Sequence, residues 1–128
     1  MSDAKSRSES AHLDRAALEA IRALQNDAAP DLLLQVVRLY FDSAPVLLER
    51  LRTALIAGDH EAIGIAAHSL KSSSANLGAT VLADMCKELE SAARRGALSS
   101  ALPDADAIER EYNAVRQALA AELKESAA

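Results

Sequence analysis

The stretch Ala66-Ala67-His68-Ser69-Leu70-Lys71-Ser72-Ser73-Ser74-Ala75-Asn76-Leu77-Gly78-Ala79 decides how this chain is read. Placed on a helix at ~100° per residue, Ile63, Ala66, Ala67, Leu70, Ser74 and Leu77 fall on one side. That side is mostly apolar and faces a core, with Ser74 among it and free to bond its own helix backbone. His68 points away from the core side. Its neighbours one turn before and after are Gly64 and Ser72, with Lys71 at i+3 and Ala75 at i+7. A histidine alone on a solvated face is usually no more than a solvated residue. Here it is flanked by side chains too small to hide it, with a cation alongside. Gly64 sharpens the point, because glycine inside a helix costs roughly 1 kcal/mol relative to alanine. Close approach by another molecule is one reason for such a residue to stand there.

Working outward, Gly58 reads as the left-handed end of a preceding helix and Asp59 as the N-cap of the histidine helix. Glu61 in the first turn meets the positive end of the helix dipole. Gly78 falls just past the other end. The preceding helix starts at Pro30 and carries an apolar stripe of Leu33, Val36, Val37, Tyr40, Ala44, Leu47, Leu48, Leu51 and Leu55. Pro45 lies within it and predicts a kink or a division into two helices. Before that, Asp14 caps a short helix whose Leu13 and Leu18 have the spacing of a hydrophobic staple. Ala17, Ile21 and Leu24 form its inward stripe, and it ends near Asn26-Asp27. After Gly78, a helix from about Thr80 to Arg95 turns Leu82, Met85, Cys86, Leu89, Ala92 and Ala93 inward, and Gly96 ends it. Residues 97–102 read as a loop. Pro103-Asp104 then starts a last helix with a buried stripe of Ala105, Ile108, Tyr112, Val115 and Leu119. The sum is an all-α fold: an antiparallel up-down-up-down four-helix bundle with a short additional N-terminal helix. The helical domain spans 11–125, preceded by a polar tail over 1–10 that is expected to be disordered.

Composition narrows the function classes. Half the 128 residues are hydrophobic, yet the aromatics are only two tyrosines and one phenylalanine, so the core is built of aliphatic residues and alanine. A net charge of −5 without a basic block argues against nucleic acid as a partner. No apolar run approaches the ~20 residues that span a bilayer, and no secretory signal is present. The single Cys86 excludes an internal disulfide and suits a reducing compartment, so a cytoplasmic protein is expected. Cys86 and Met85 sit at core positions and are read as packing residues. His60-Glu61 begins a zinc-protease pattern, but Gly64 occupies the place of its second histidine. His60 and His12 are read as surface residues. No inward pair of His or Glu predicts a metal or a cofactor.

The string AHSLKSSSANLGA resembles the signature of histidine phosphotransfer (HPt) domains, in which alanine-histidine is followed by leucine-lysine, small residues and leucine-glycine-alanine. Ala57-Gly58-Asp59, Leu82, Cys86 and Leu89-Glu90 extend the likeness, which runs from about Leu13 to the last helix. The resemblance implies the same bundle and makes His68 the phosphorylated residue. It implies a phosphocarrier without independent turnover, exchanging phosphoryl groups with aspartates of response-regulator receiver domains. A hybrid sensor histidine kinase would stand upstream, and Mg²⁺ would come with the receiver. Neutral imidazole is a competent nucleophile, and free histidine, with a pKa near ~6.5, is largely neutral around pH 7. Lys71 would offset the phosphoryl charge, and Gly64, Ser72, Ser73 and Ala75 would form the docking face, with Ser72 and Ser73 also candidates for bonding phosphate oxygens. Family members often carry glycine where Ser72 stands. Glu90 lies where they place a polar residue beside the histidine ring, so it would either orient His68 or remain a solvated glutamate. A monomer is expected, and Met1 with the polar tail favours a free-standing protein. The alternative is a bundle that docks receivers or other signalling proteins without being phosphorylated.

Overall fold

The computed structural model describes residues 12–127, with side chains through 124. The expected tail over 1–10 lies outside the described residues. Among the described residues five helices follow one another: α1 (Arg15–Ala23), α2 (Leu32–Ala57), α3 (His60–Asn76), α4 (Thr80–Arg94) and α5 (Ala105–Ala127). No strand element occurs among the described residues. Helix α3 packs most extensively on α4, α2 packs on α3 and α5, and α4 on α5, so α2 to α5 close into a ring with α1 against α2. Short links at Gly58-Asp59 and Leu77-Gly78-Ala79 force antiparallel neighbours, giving the expected bundle.

The caps explain why the helices stop where they do. Asp59 accepts from the Ala62 amide at 3.1 Å, Asp14 from Ala16 at 3.0 Å and Asp104 from Ala107 at 2.8 Å. Gly58 ends α2 at φ 65° and Gly78 follows α3 at φ 77°. Gly78 has a second reason to be glycine. Its carbonyl accepts from the Asp14 amide at 2.6 Å, and a Cβ there would lie 2.3 Å from the Asp14 carbonyl oxygen. This contact seats the N-terminal segment against the end of α3, with Leu13 and Leu18 buried beneath it. Each such leucine contributes about 1.5–3 kcal/mol by leaving water. Ion pairs from Arg15 and Arg22 to Glu122 join α1 to α5.

Several expectations need correction. Helix α1 ends at Ala23, short of Asn26, because the Asn26 side chain takes the Ala28 and Ala29 amides at 2.8 and 3.0 Å and closes a turn instead. Leu24 is therefore a cap residue turned out to water, 67% exposed, and does not join the inward stripe. Helix α2 begins at Leu32, after Pro30, and the Gln25 side chain accepts from the Leu33 amide at 3.1 Å. Pro45 sits inside one continuous α2, so the division into two helices does not occur. His12 is half-buried and not a plain surface residue: its Nδ1 lies 2.7 Å from Glu111 Oε2.

The core matches the periodicity closely. Val37, Leu51, Ile63, Leu70, Leu77, Leu82, Leu89, Ile108, Val115 and Leu119 are fully buried, and Cys86 is among them. Burial pushes the Cys86 thiol up to about 12 against the lowering pull of Lys71, with Glu90 adding to the rise, so the sulfur stays protonated and inert. Ser74 is buried too, but it does not bond its own backbone. Its hydroxyl meets the Tyr40 hydroxyl of α2 at 2.8 Å, pinning α3 to α2.

Candidate functional site

The cap at Asp59 sets the phase of α3, and the phase puts Ile63, Ala66, Ala67, Leu70 and Ser74 inward and His68 outward. The imidazole is exposed over 54% of its side chain. It is nonetheless held. Helix α4 buries Leu89 in the core, and the next residue, Glu90, lies along the seam between α4 and α3 with its side chain only 6% exposed. Glu90 Oε2 stands 2.8 Å from His68 Nδ1, and Oε1 pairs with Lys71 Nζ. Arg94, one turn further along α4, places a guanidinium nitrogen 2.7 Å from the same Oε2.

Burial works to raise the Glu90 carboxyl. The Lys71 and His68 hydrogen bonds and the charges of Lys71 and Arg94 outweigh it, and the net direction is downward. An ionised carboxylate only accepts, so Nδ1 must carry the proton and donate. In the neutral ring this leaves Nε2 with the free lone pair. The site is thus a nucleophilic nitrogen in a fixed tautomer, on an exposed ring, with two cations around one anion. That excess of positive charge suits an approaching phosphoryl group.

On the α2 side of His68, an open groove of about 500 Å³ runs between α2 and α3, lined by Val46, Leu47, Ala54, Ala62, Ile65 and Ser69 among others. Ile65 precedes His68 by three residues and is 63% exposed. No helix among the described residues is long and apolar enough to cross a membrane.

The family model for the Hpt domain matches residues 35–118, which span α3, α4, the site and most of α2 and α5. The chain belongs to the Hpt domain family. It is similar to the crystal structure of histidine-containing phosphotransfer protein B from Pseudomonas aeruginosa PAO1, with a TM-score of 0.73 and 40% identity, over 89% of this chain and 96% of that one. It is also 28% identical over 96 residues to pseudo histidine-containing phosphotransfer protein 6 of Arabidopsis thaliana. That match takes in 73% of this chain and 62% of the relative, so the chain spans about three-fifths of that relative's length.

Against this Hpt frame the expected site residues separate. His68, Lys71 and Glu90 come together. Glu90 is not a solvated glutamate; it is the buried hub of the group. Ser72 and Ala75 are exposed on the face of α3 that carries His68. Ser73 differs: its hydroxyl bonds the Ser69 and Leu70 carbonyls at 3.1 and 3.3 Å, and it lies well round the helix from His68, so it is turned away from a phosphoryl group there. Gly64 is not bare. It is buried, and the stem of Arg94 passes above it, with Cγ 4.0 Å from where a Cβ would be. Arg94 itself is the member that sequence reasoning missed. Its spacing of four from Glu90 on one helix was the available signal.

Proposed function

We propose that this Hpt-family chain relays a phosphoryl group between receiver-domain aspartates through a phosphohistidine at His68. The observation that carries the reading is the bond from the His68 ring to buried Glu90, because it fixes a nucleophilic Nε2 on an otherwise exposed ring. The Nε2 lone pair attacks the phosphorus of an aspartyl phosphate. A new P–N bond forms as the P–O bond to the aspartate breaks, and the aspartate leaves as a carboxylate. The ring keeps its proton on Nδ1 and becomes cationic, and the Glu90 carboxylate stabilises that charge. Reversal onto a second aspartate completes the relay. Positioning and charge stabilisation supply most of the help in phosphoryl transfer, so one exposed ring with fixed electrostatics is enough on this side. The receiver brings the remaining groups and its Mg²⁺, and the chain acts as a carrier without turnover of its own. The apolar groove beside Ile65, with Ser72 and Ala75, gives the receiver a face to rest on.

The test is transfer from a phosphorylated receiver. Acid-labile, base-stable label is expected on the wild-type chain and is expected to vanish in His68→Gln. A chain that takes no label from any of several competent receivers acts as a docking module only.

A further inference from the structure

Resting on that reading, we infer that Arg94 is the cation that moves onto the phosphoryl group of phospho-His68, while Lys71 stays with Glu90. The partners held by one carboxylate decide which cation is free to leave. Glu90 Oε1 is held by Lys71, and Oε2 by both His68 Nδ1 and Arg94. If Arg94 leaves, each oxygen keeps a partner. If Lys71 leaves, Oε1 is stranded in a carboxylate that is 6% exposed, and an unpartnered buried acceptor is unfavourable. Exposure points the same way: the Arg94 side chain is 67% exposed and Lys71 only 29%. The guanidinium already shares Oε2 with the ring that takes the phosphoryl group. A short swing along α3 brings its fork of donors against the phosphoryl oxygens, which it matches better than an ammonium does.

Gly64 supplies the track for that swing. Among the described residues no packing requires a glycine there: a Cβ would meet Arg94 Cγ alone, at 4.0 Å, and its φ is not in the left-handed region. With no side chain on α3 beneath it, the Arg94 stem can slide toward His68, whereas a large side chain at position 64 would hold it off.

Phosphorylating the purified chain with phosphoramidate tests this without any receiver. The Nε2–P bond forms as the donor's P–N bond breaks and ammonia leaves. The ³¹P resonance of phospho-His68 is then followed across pH. A cation against the phosphoryl oxygens favours their ionised form, so Arg94→Ala should raise the midpoint by roughly half a unit or more. Arg94→Lys should reverse part of that rise, Gly64→Leu should reproduce it, and Lys71→Ala should give less than half of it. Circular dichroism verifies that each variant is folded. A midpoint in Arg94→Ala equal to that of the wild type overturns the inference, as does a larger shift in Lys71→Ala or no shift in Gly64→Leu. Absence of any ³¹P phosphohistidine signal from the wild type counts instead against His68 as the acceptor.

Discussion

Replacing Glu90 by glutamine isolates the charge of the site from its shape. The glutamine carbonyl can still accept from His68 Nδ1 at the position now 2.8 Å away, so the tautomer and the ring orientation survive. What disappears is a negative charge beside a ring that becomes positive as the P–N bond forms. Two unit charges 2.8 Å apart interact by about 1.5 kcal/mol with full bulk-water screening, and by more at the lower dielectric of a half-exposed site. About 1.5 kcal/mol is roughly a tenfold change in rate, so Glu90→Gln should slow phosphoryl uptake at least tenfold. An opposing effect must be kept apart. The substitution also frees Lys71 and Arg94 from their carboxylate, and two loosened cations attract an anionic donor more strongly. That attraction acts on encounter, so the rate has to be read in single turnover at saturating phospho-receiver. The measured quantity is the first-order rate of label appearing on His68, with apparent affinity followed separately. Tighter apparent binding with a rate lowered tenfold or more is the expected pair. A Glu90→Gln chain that reaches the wild-type rate at saturation would refute the idea that the carboxylate stabilises the ring in transfer.

Other outcomes follow from the same geometry. Gly78→Ala places a side chain at φ 77° and 2.3 Å from the Asp14 carbonyl oxygen, breaking the Asp14–Gly78 bond and lifting Leu13; a loss of about 3 kcal/mol in urea melts is expected. Gly58→Ala has nearly the same φ, 65°, with nothing within 4 Å, so only the conformational penalty of about 1 kcal/mol applies, and equal losses for the two variants would contradict the close-approach account. Tyr40→Phe and Ser74→Ala each strand a buried hydroxyl and should cost about 1–2 kcal/mol singly, while the double variant should cost less than their sum. The Glu90 carboxyl lies below the usual carboxylate range when folded, so its contribution to stability is complete above that range and is lost as pH falls through the folded value. The stability gap between wild type and Glu90→Gln should therefore be wider at pH 7 than at about pH 3, and a gap that does not narrow in acid would mean that the carboxylate's charge is not what stabilises this group.

The fold was readable because it is built from local signals that agree. Asp14, Asp59 and Asp104 stand as caps directly before apolar stripes, and glycines stand where three of the helices must stop, so boundary and face are set by neighbours in sequence. The departures come where a side chain competes with the helix for backbone amides. Asn26 closes its own turn and cuts α1 short, and no periodicity count registers that competition. Gln25 caps α2 from eight residues away, which is again invisible to a local pattern.

The site divides along the same line. His68 could be placed from α3 alone, since which way it points depends only on helical phase. The state of its ring depends on Glu90, 22 residues later on another helix, and on how closely α3 and α4 approach. Sequence offers two equal prospects for such a glutamate, solvated or partnered, and packing decides between them. Leu89 is driven into the core, and its neighbour is carried to the seam, where burial without partners would be prohibitive. Lys71, His68 and Arg94 make that burial tolerable, and in doing so they fix the proton on Nδ1. The electrostatic requirement that Glu90 be partnered and the chemical requirement that Nε2 be free are therefore met by one arrangement. It follows that a substitution chosen to repack the α3–α4 seam, with no contact to His68, should alter phosphoryl uptake whenever it moves Glu90.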